Sequence, residues 1–154
     1  MATVRTAGTE IIRTAHFEYV AANTAAQTLI FGVQHHIYTV LSLSFYNDQS
    51  SNGDANDTLF TYIDGYDCID GSNAEIFLFR TGTTNGHSTY MFNDKISFNG
   101  HGPTDFAAGT GVDSIAKQDA IADQGGAVQK LMCKKGHNND LWNISITYID
   151  QNNA

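Results

Sequence analysis

The side chains with most scope for chemistry in this 154-residue chain are six histidines and sixteen acidic residues. His35 and His36 are adjacent on a predicted strand, where successive side chains point to opposite faces, so the two cannot easily share one metal ion. A histidine–carboxylate site of the kind built in sandwich metalloenzymes needs His-x-His followed by an acid. Here Ile37 and Tyr38 follow, and the next Glu is Glu75. His16, His87, His101 and His137 fall on predicted strands or beside glycine in loops, where hydrogen bonding or stacking is their expected use.

The acidic residues offer two further candidates. Asn52-Gly53-Asp54-Ala55-Asn56-Asp57 alternates oxygen ligands as a calcium loop does, but it lacks the closing Glu and flanking helices of an EF-hand. Asp64, Asp67 and Asp70 recur at a spacing of three, which on a strand or turn does not converge the carboxylates. No Gly-x-Ser-x-Gly elbow, His-Glu-x-x-His helix or phosphate loop is present in the sequence. With only Glu10, Glu18 and Glu75 besides scattered Asp, no carboxylate pair stands out for glycosidic chemistry. The expectation is a non-enzyme with no cofactor and no metal. Cys68 and Cys133 match no zinc spacing and are too few for a disulfide framework; two reduced, half-buried thiols are expected. The sequons at Asn56 and Asn143 accompany no secretion signal.

The elements that must position these residues are read from composition and periodicity. Glu is scarce, Pro occurs once, at Pro103, and 14 Gly accompany many Asn, Thr and Ser. Helix-formers are therefore few, which excludes a helical bundle. Period-two alternation predicts strands over 10–20, 28–31, 36–46, 58–63, 74–79, 88–92, 95–98, 128–134 and 142–148. In the third of these, Ile37, Leu41, Leu43 and Phe45 share an apolar register, while Val40 falls in the polar one. Asn93-Asp94 reads as a hairpin turn. The expected fold is an all-β antiparallel sandwich or jelly roll of about eight strands with long loops. Only 111–124 has room for a helical turn, inside a long loop over 106–126. The single sandwich domain is placed at 9–150, with an N-terminal arm at 1–8 and a C-terminal tail at 151–154.

Charge narrows the partners. Eight Lys+Arg against sixteen Asp+Glu give a net charge of −8, which argues against nucleic acid and anionic membranes. No apolar run reaches membrane-spanning length. Seven tyrosines, spread over several strands, suit core packing or interfaces.

The order of strands and turns resembles the small β-sandwich virion proteins of tailed bacteriophages. The likeness runs from Ala26-Gln27-Thr28-Leu29-Ile30-Phe31-Gly32 into the long strand ending at Asn47, through Phe92-Asn93-Asp94-Lys95-Ile96. It continues to a lysine-bearing strand over 128–134, a Gly/Asn turn over 136–140 and a last strand ending in Tyr148-Ile149. Where many such proteins have Val-Pro-Ala-Gly-Lys, this chain has Phe31-Gly32-Val33-Gln34-His35. The resemblance implies a capsid decoration (cement) protein on the outer capsid surface, made in the host cytoplasm. Its implied partners are the major capsid protein and copies of itself, as a trimer or dimer. Contacts are expected at Met1, Ala2, Thr3, Val4 and Arg5 of the arm, which a neighbour would order by strand addition, and at Tyr66, His101 and Phe106. The competing reading is a tail- or fibre-associated receptor- or carbohydrate-binding module using Tyr66, Asn85, His87, His101 and His137. With a lone proline, edge protection must come from elsewhere, and burial of strand edges against other subunits would supply it.

Overall fold

The structure, a computed structural model, describes residues 9–20, 24–48, 58–67, 69–82, 86–102, 127–137 and 141–152. The arm at 1–8, the calcium-like loop at 52–57, Asn85, Phe106 and the helical turn placed at 111–124 lie outside these residues. The described chain forms eleven strands, all paired antiparallel: β1 (Glu10–Tyr19), β2 (Gln27–Phe31), β3 (His36–Asn47), β4 (Leu59–Asp67), β5 (Ser72–Arg80), β6 (Thr89–Phe92), β7 (Ile96–Asn99), β8 (His101–Gly102), β9 (Ala127–Val128), β10 (Lys130–Lys135) and β11 (Trp142–Asn152). One sheet runs β1-β11-β3 with β6 and β7 both on β3; the second runs β2-β10-β4-β5; β8 and β9 pair apart. The expected all-β antiparallel sandwich is the fold. Gln129 splits the strand expected over 128–134 into β9 and β10, and β11 continues through Gln151 and Asn152.

The core lies between the two sheets. Trp142, Ile144 and Ile146 of β11 and Leu43 and Phe45 of β3 face Leu59 of β4 and Leu131 and Cys133 of β10, all of them fully buried. Burying side chains of this size contributes roughly 1.5–3 kcal/mol each. Two polar atoms in this core, Thr61 Oγ1 and Trp142 Nε1, have no hydrogen-bond partner among the described residues. Rings lock the sheets face to face: Phe45 meets Phe79 at 5.5 Å, and Phe79 stacks on Phe92 at 4.4 Å. Tyr19, at the end of β1, places its hydroxyl 2.9 Å from the Cys133 carbonyl of the other sheet and 2.9 Å from that of Ala25.

Three extra residues explain where the alternation in the sequence breaks. Against β11, Thr147 pairs with Ser42 but Tyr148 pairs with Val40, so Leu41 is a bulge. Ahead of it Tyr38 and Val40 face the core; after it Leu43 and Phe45 do. The assignment of Ile37 and Leu41 to the core register is therefore corrected, and Val40, out of phase in the sequence, is fully buried because one inserted residue reverses the faces. Leu29 plays the same part in β2, and Leu78 in β5. Each bulge adds an apolar side chain where strict alternation would point it to water.

The hairpin expected at Asn93-Asp94 does not form. β6 pairs with the second half of β3 and β7 with the first, so both lie end to end on one edge. Residues 93–95 span Leu41 and Ser42, an interruption of one extra residue in that edge strand. His35 is also not on a strand. It occupies the left-handed region at φ 64°, in the turn from β2 to β3.

Glycine is required at one crossing. A Cβ on Gly100 would lie 2.0 Å from the Val33 carbonyl oxygen, and one on Gly32 would lie 2.1 Å from that of Gly100 and 2.2 Å from that of Gln129. These contacts are backbone on backbone and cannot relax by a rotamer change. Gly100→Ala is expected to destabilise the protein by about 3 kcal/mol or more in urea unfolding. Gly82→Ala, whose Cβ meets no heavy atom within 4 Å, is the control and should change stability by less than about 0.5 kcal/mol.

Candidate functional site

The Gly32–Gly100 crossing is organised by Gln129, a residue with no motif to mark it. Its carbonyl accepts from the Gly32 N–H at 2.9 Å, and its own N–H donates to the Gly100 carbonyl at 2.9 Å. Its Nε2 donates to the Asn99 carbonyl at 2.9 Å, and its Oε1 accepts from the Tyr66 N–H at 3.3 Å. Gly32 and Tyr66 belong to the second sheet's side, Asn99 and Gly100 to the first. One side chain and its own peptide groups thus join the sheets at one end. Gly65 leaves room for this amide, since a Cβ there would lie 2.4 Å from Gln129 Oε1. The Gly100 N–H donates to the His36 carbonyl at 2.8 Å, which carries the same network to the start of β3.

Beside this crossing lies an ionic cluster on three neighbouring strands. Arg13 of β1 donates its Nε to Asp150 Oδ2 at 2.9 Å, and His36 Nδ1 lies 2.6 Å from Asp150 Oδ1. The register makes this possible, because Ile11 and Tyr38 stand opposite Asp150 on either side, and Arg13 and His36 are each two residues along from these, on the same face. Burial pushes the Asp150 carboxyl up, but the His36 and Arg13 hydrogen bonds and charges pull harder, leaving it below the usual carboxylate range. Burial, followed by the Asp150 charge, raises the Tyr38 phenol. Tyr148 is also raised, by burial first. The Asp150 carboxylate is 9% exposed and held from two sides, so it is a cross-strand tie rather than a base open to substrate.

Of the expected contact residues, the structure brings Tyr66 and His101 together at this end. Tyr66 bonds to Gln129, His101 pairs with Val128, and a Cβ on Gly102 would lie 3.0 Å from Tyr66 Cβ. Met1, Ala2, Thr3, Val4, Arg5 and Phe106 lie outside the described residues, but the points where their segments join the fold are described. Thr9 accepts from the Asn152 N–H at 3.0 Å, and Gly102 pairs with Ala127, so residues 103–126 leave and re-enter side by side. Both junctions sit at the Gln129 end. His87 and His137 are at the opposite end: the His87 N–H donates to the Asn47 carbonyl, and His137 follows Gly136, whose N–H donates to the Thr58 carbonyl. His87 Nδ1 also lies 3.0 Å from the Tyr46 hydroxyl. The aromatic and histidine set considered for sugar binding is thus divided between two ends.

No protein-family model matches the chain, and no curated protein matches it in sequence. Solved structures similar in shape include two of note. One, from Bacillus endospore appendages that form a family of disulfide-linked pili, aligns over 100% of this chain and 97% of its own, at TM-score 0.49 and 8% identity. The other, from infectious bursal disease virus Gx strain, aligns over 99% of this chain and 40% of its own, at TM-score 0.38 and 12% identity. Neither likeness bears on what this chain binds.

The other candidate chemistries resolve into structural roles. Asp64 ion-pairs with Lys130 at 3.7 Å, and Asp67 Oδ1 accepts from the Ile69 N–H at 2.8 Å, closing a turn. His16 Nδ1 lies 3.3 Å from Ser145 Oγ on the exposed face of the first sheet. Cys133 is fully buried rather than half-buried, and burial pushes its thiol up to about 12, where it stays protonated and unreactive. It is a free thiol opposite Thr61. Cys68 lies outside the described residues.

The Asp150 tie has a pH signature. A carboxyl depressed in the folded state stabilises fully above its unfolded value near ~3.9, and that contribution is lost as pH falls through the depressed folded value. Asp150→Asn should cost about 1.5–3 kcal/mol at pH 7. The gap to wild type should close as chemical denaturation is repeated at progressively lower pH below about 4.

Proposed function

We propose that this chain is a structural subunit of a tailed-bacteriophage particle, a capsid decoration protein that docks on the outer capsid surface. The observation that carries the reading is the convergence at one end. The junction of the N-terminal segment at Thr9, the Tyr66 and His101 pair, and the junctions of 103–126 at Gly102 and Ala127 all lie where Gln129 and its glycines fix the backbone. A rigid body that issues its contact segments from one end suits attachment to a larger surface, with the rest of the sandwich facing solvent. The acidic balance of −8 fits a position outside the shell better than one against packaged DNA. Contacts to the major capsid protein and to neighbouring copies would then stabilise the assembled shell by mass action, since only the assembled state presents the site. No bond-making step is involved.

Imaging of intact particles tests this reading. A decoration protein should coat the icosahedral shell in hundreds of copies and should bind empty expanded capsids when added in solution. A few to tens of copies confined to the tail would instead establish the receptor-binding module.

A further inference from the structure

Among the described residues the sandwich has four sheet edges, and they are not alike. β2 is broken by the Leu29 bulge, β5 by Leu78, and the β6–β7 edge by residues 93–95. β1 alone runs unbroken, paired with β11 over ten consecutive residues without a register shift. It carries no proline, and Ile11 and Ile12 are exposed upon it. Bulges and breaks are devices that stop an edge from accepting another strand; β1 has neither.

The hydrogen-bond phase of β1 is fixed. The Asn152 N–H donates to the Thr9 carbonyl, so odd-numbered residues bond inward to β11. The backbone groups of Glu10, Ile12, Thr14, His16 and Glu18 therefore point away from β11, to an edge with no strand partner among the described residues. Odd-numbered side chains face the core side of the sheet, as Ala15, Phe17 and Tyr19 show.

We propose that β1 is a homodimer interface in which two copies pair antiparallel about a two-fold axis, joining their first sheets into one. The occupant is a second copy because β1 is self-complementary in one register. Keeping core-side residues opposite core-side residues leaves two near-full-overlap alignments, centred on Thr14 or on Ala15. Centring on Thr14 sets Glu10 against Glu18 of the second copy twice, a like-charge opposition. Centring on Ala15 avoids it, sets Arg13 against Phe17 and Ile11 against Tyr19, and forms about eight new backbone hydrogen bonds. The axis then passes through a non-hydrogen-bonded pair, where side chains approach most closely. Alanine is the residue there. This inference stands apart from the virion reading, since a dimer can form whether or not the chain meets a capsid.

Light scattering and cross-linking on the full chain test it. Wild type should run at twice the 16.8 kDa chain mass. Thr14→Pro, which removes an outward N–H and no inward one, should halve that mass while the circular dichroism spectrum stays unchanged. Under mild oxidation Ala15→Cys should give a covalent dimer, because opposed Cα atoms near ~4.5 Å suit a disulfide. His16→Cys, opposite Thr14 of the second copy, should cross-link at least ten-fold less, and wild type should serve as the baseline for Cys68 and Cys133. A monomer, a trimer, a dimer that survives Thr14→Pro with the spectrum intact, or equal cross-linking at 15 and 16 overturns the proposal.

Discussion

The fold depends on one crossing, where the peptide groups and side-chain amide of Gln129 make four hydrogen bonds to three separate backbone segments while glycines at 32, 65 and 100 let those segments touch. Elsewhere the two sheets are held chiefly by apolar contact, which is strong but tolerant of sliding, with the Tyr19 hydroxyl bonded to the Cys133 carbonyl at the other end. At the Gln129 end, backbone groups from both sheets are bonded through a single residue. The consequence is geometric. The ends of β2, β4 and β7 and the starts of β3 and β10 are fixed relative to one another, and every expected contact segment with a described junction departs from that frame.

The opposite faces of the sandwich follow different rules. The outer face of the first sheet is lined with hydroxyls, including Thr14, Thr147, Ser42, Ser44, Ser145 and the hydrogen-bonded pair Thr39 and Ser97 at 3.0 Å. That of the second sheet is aromatic and cationic: Arg80 lies 4.9 Å over the Phe60 ring, Lys130 5.5 Å over Phe31, and Tyr62 meets Phe77 at 5.4 Å. Stacking of cations on rings lets an exposed apolar surface coexist with a solvated one. Arg80, Lys130 and Lys134 share this second face with Asp64 and Glu75, which stand opposite each other on β4 and β5.

Much of this architecture was legible in the sequence. Alternation over 142–148 marked a strand with one wet face because β11 is central and unbulged there. The misplaced Val40 was a genuine signal, the trace of a one-residue insertion that local periodicity registers but cannot interpret. Asn93-Asp94 misled because turn chemistry is the same whether the chain reverses or merely steps past a bulge, and only pairing with β3 decides. Gln129 was invisible, since its role comes from four partners distant in sequence. The glycines offered a hint, because Gly32, Gly65, Gly100 and Gly102 all lie near it, yet composition alone cannot say which glycines share a crossing. Tyr66 and His101 were expected at contacts, and their proximity comes from β4 and β8 meeting at Gln129.

Native-state hydrogen exchange of the full chain measures the central claim directly. The amides of Gly32, Gly100 and Gln129 donate bonds of 2.9, 2.8 and 2.9 Å within the crossing. If this crossing holds the sandwich together, these three amides exchange only through global unfolding, as slowly as those in the middle of β11. Exchange of all three at the rate of an exposed loop amide, with β11 still protected, would contradict the account.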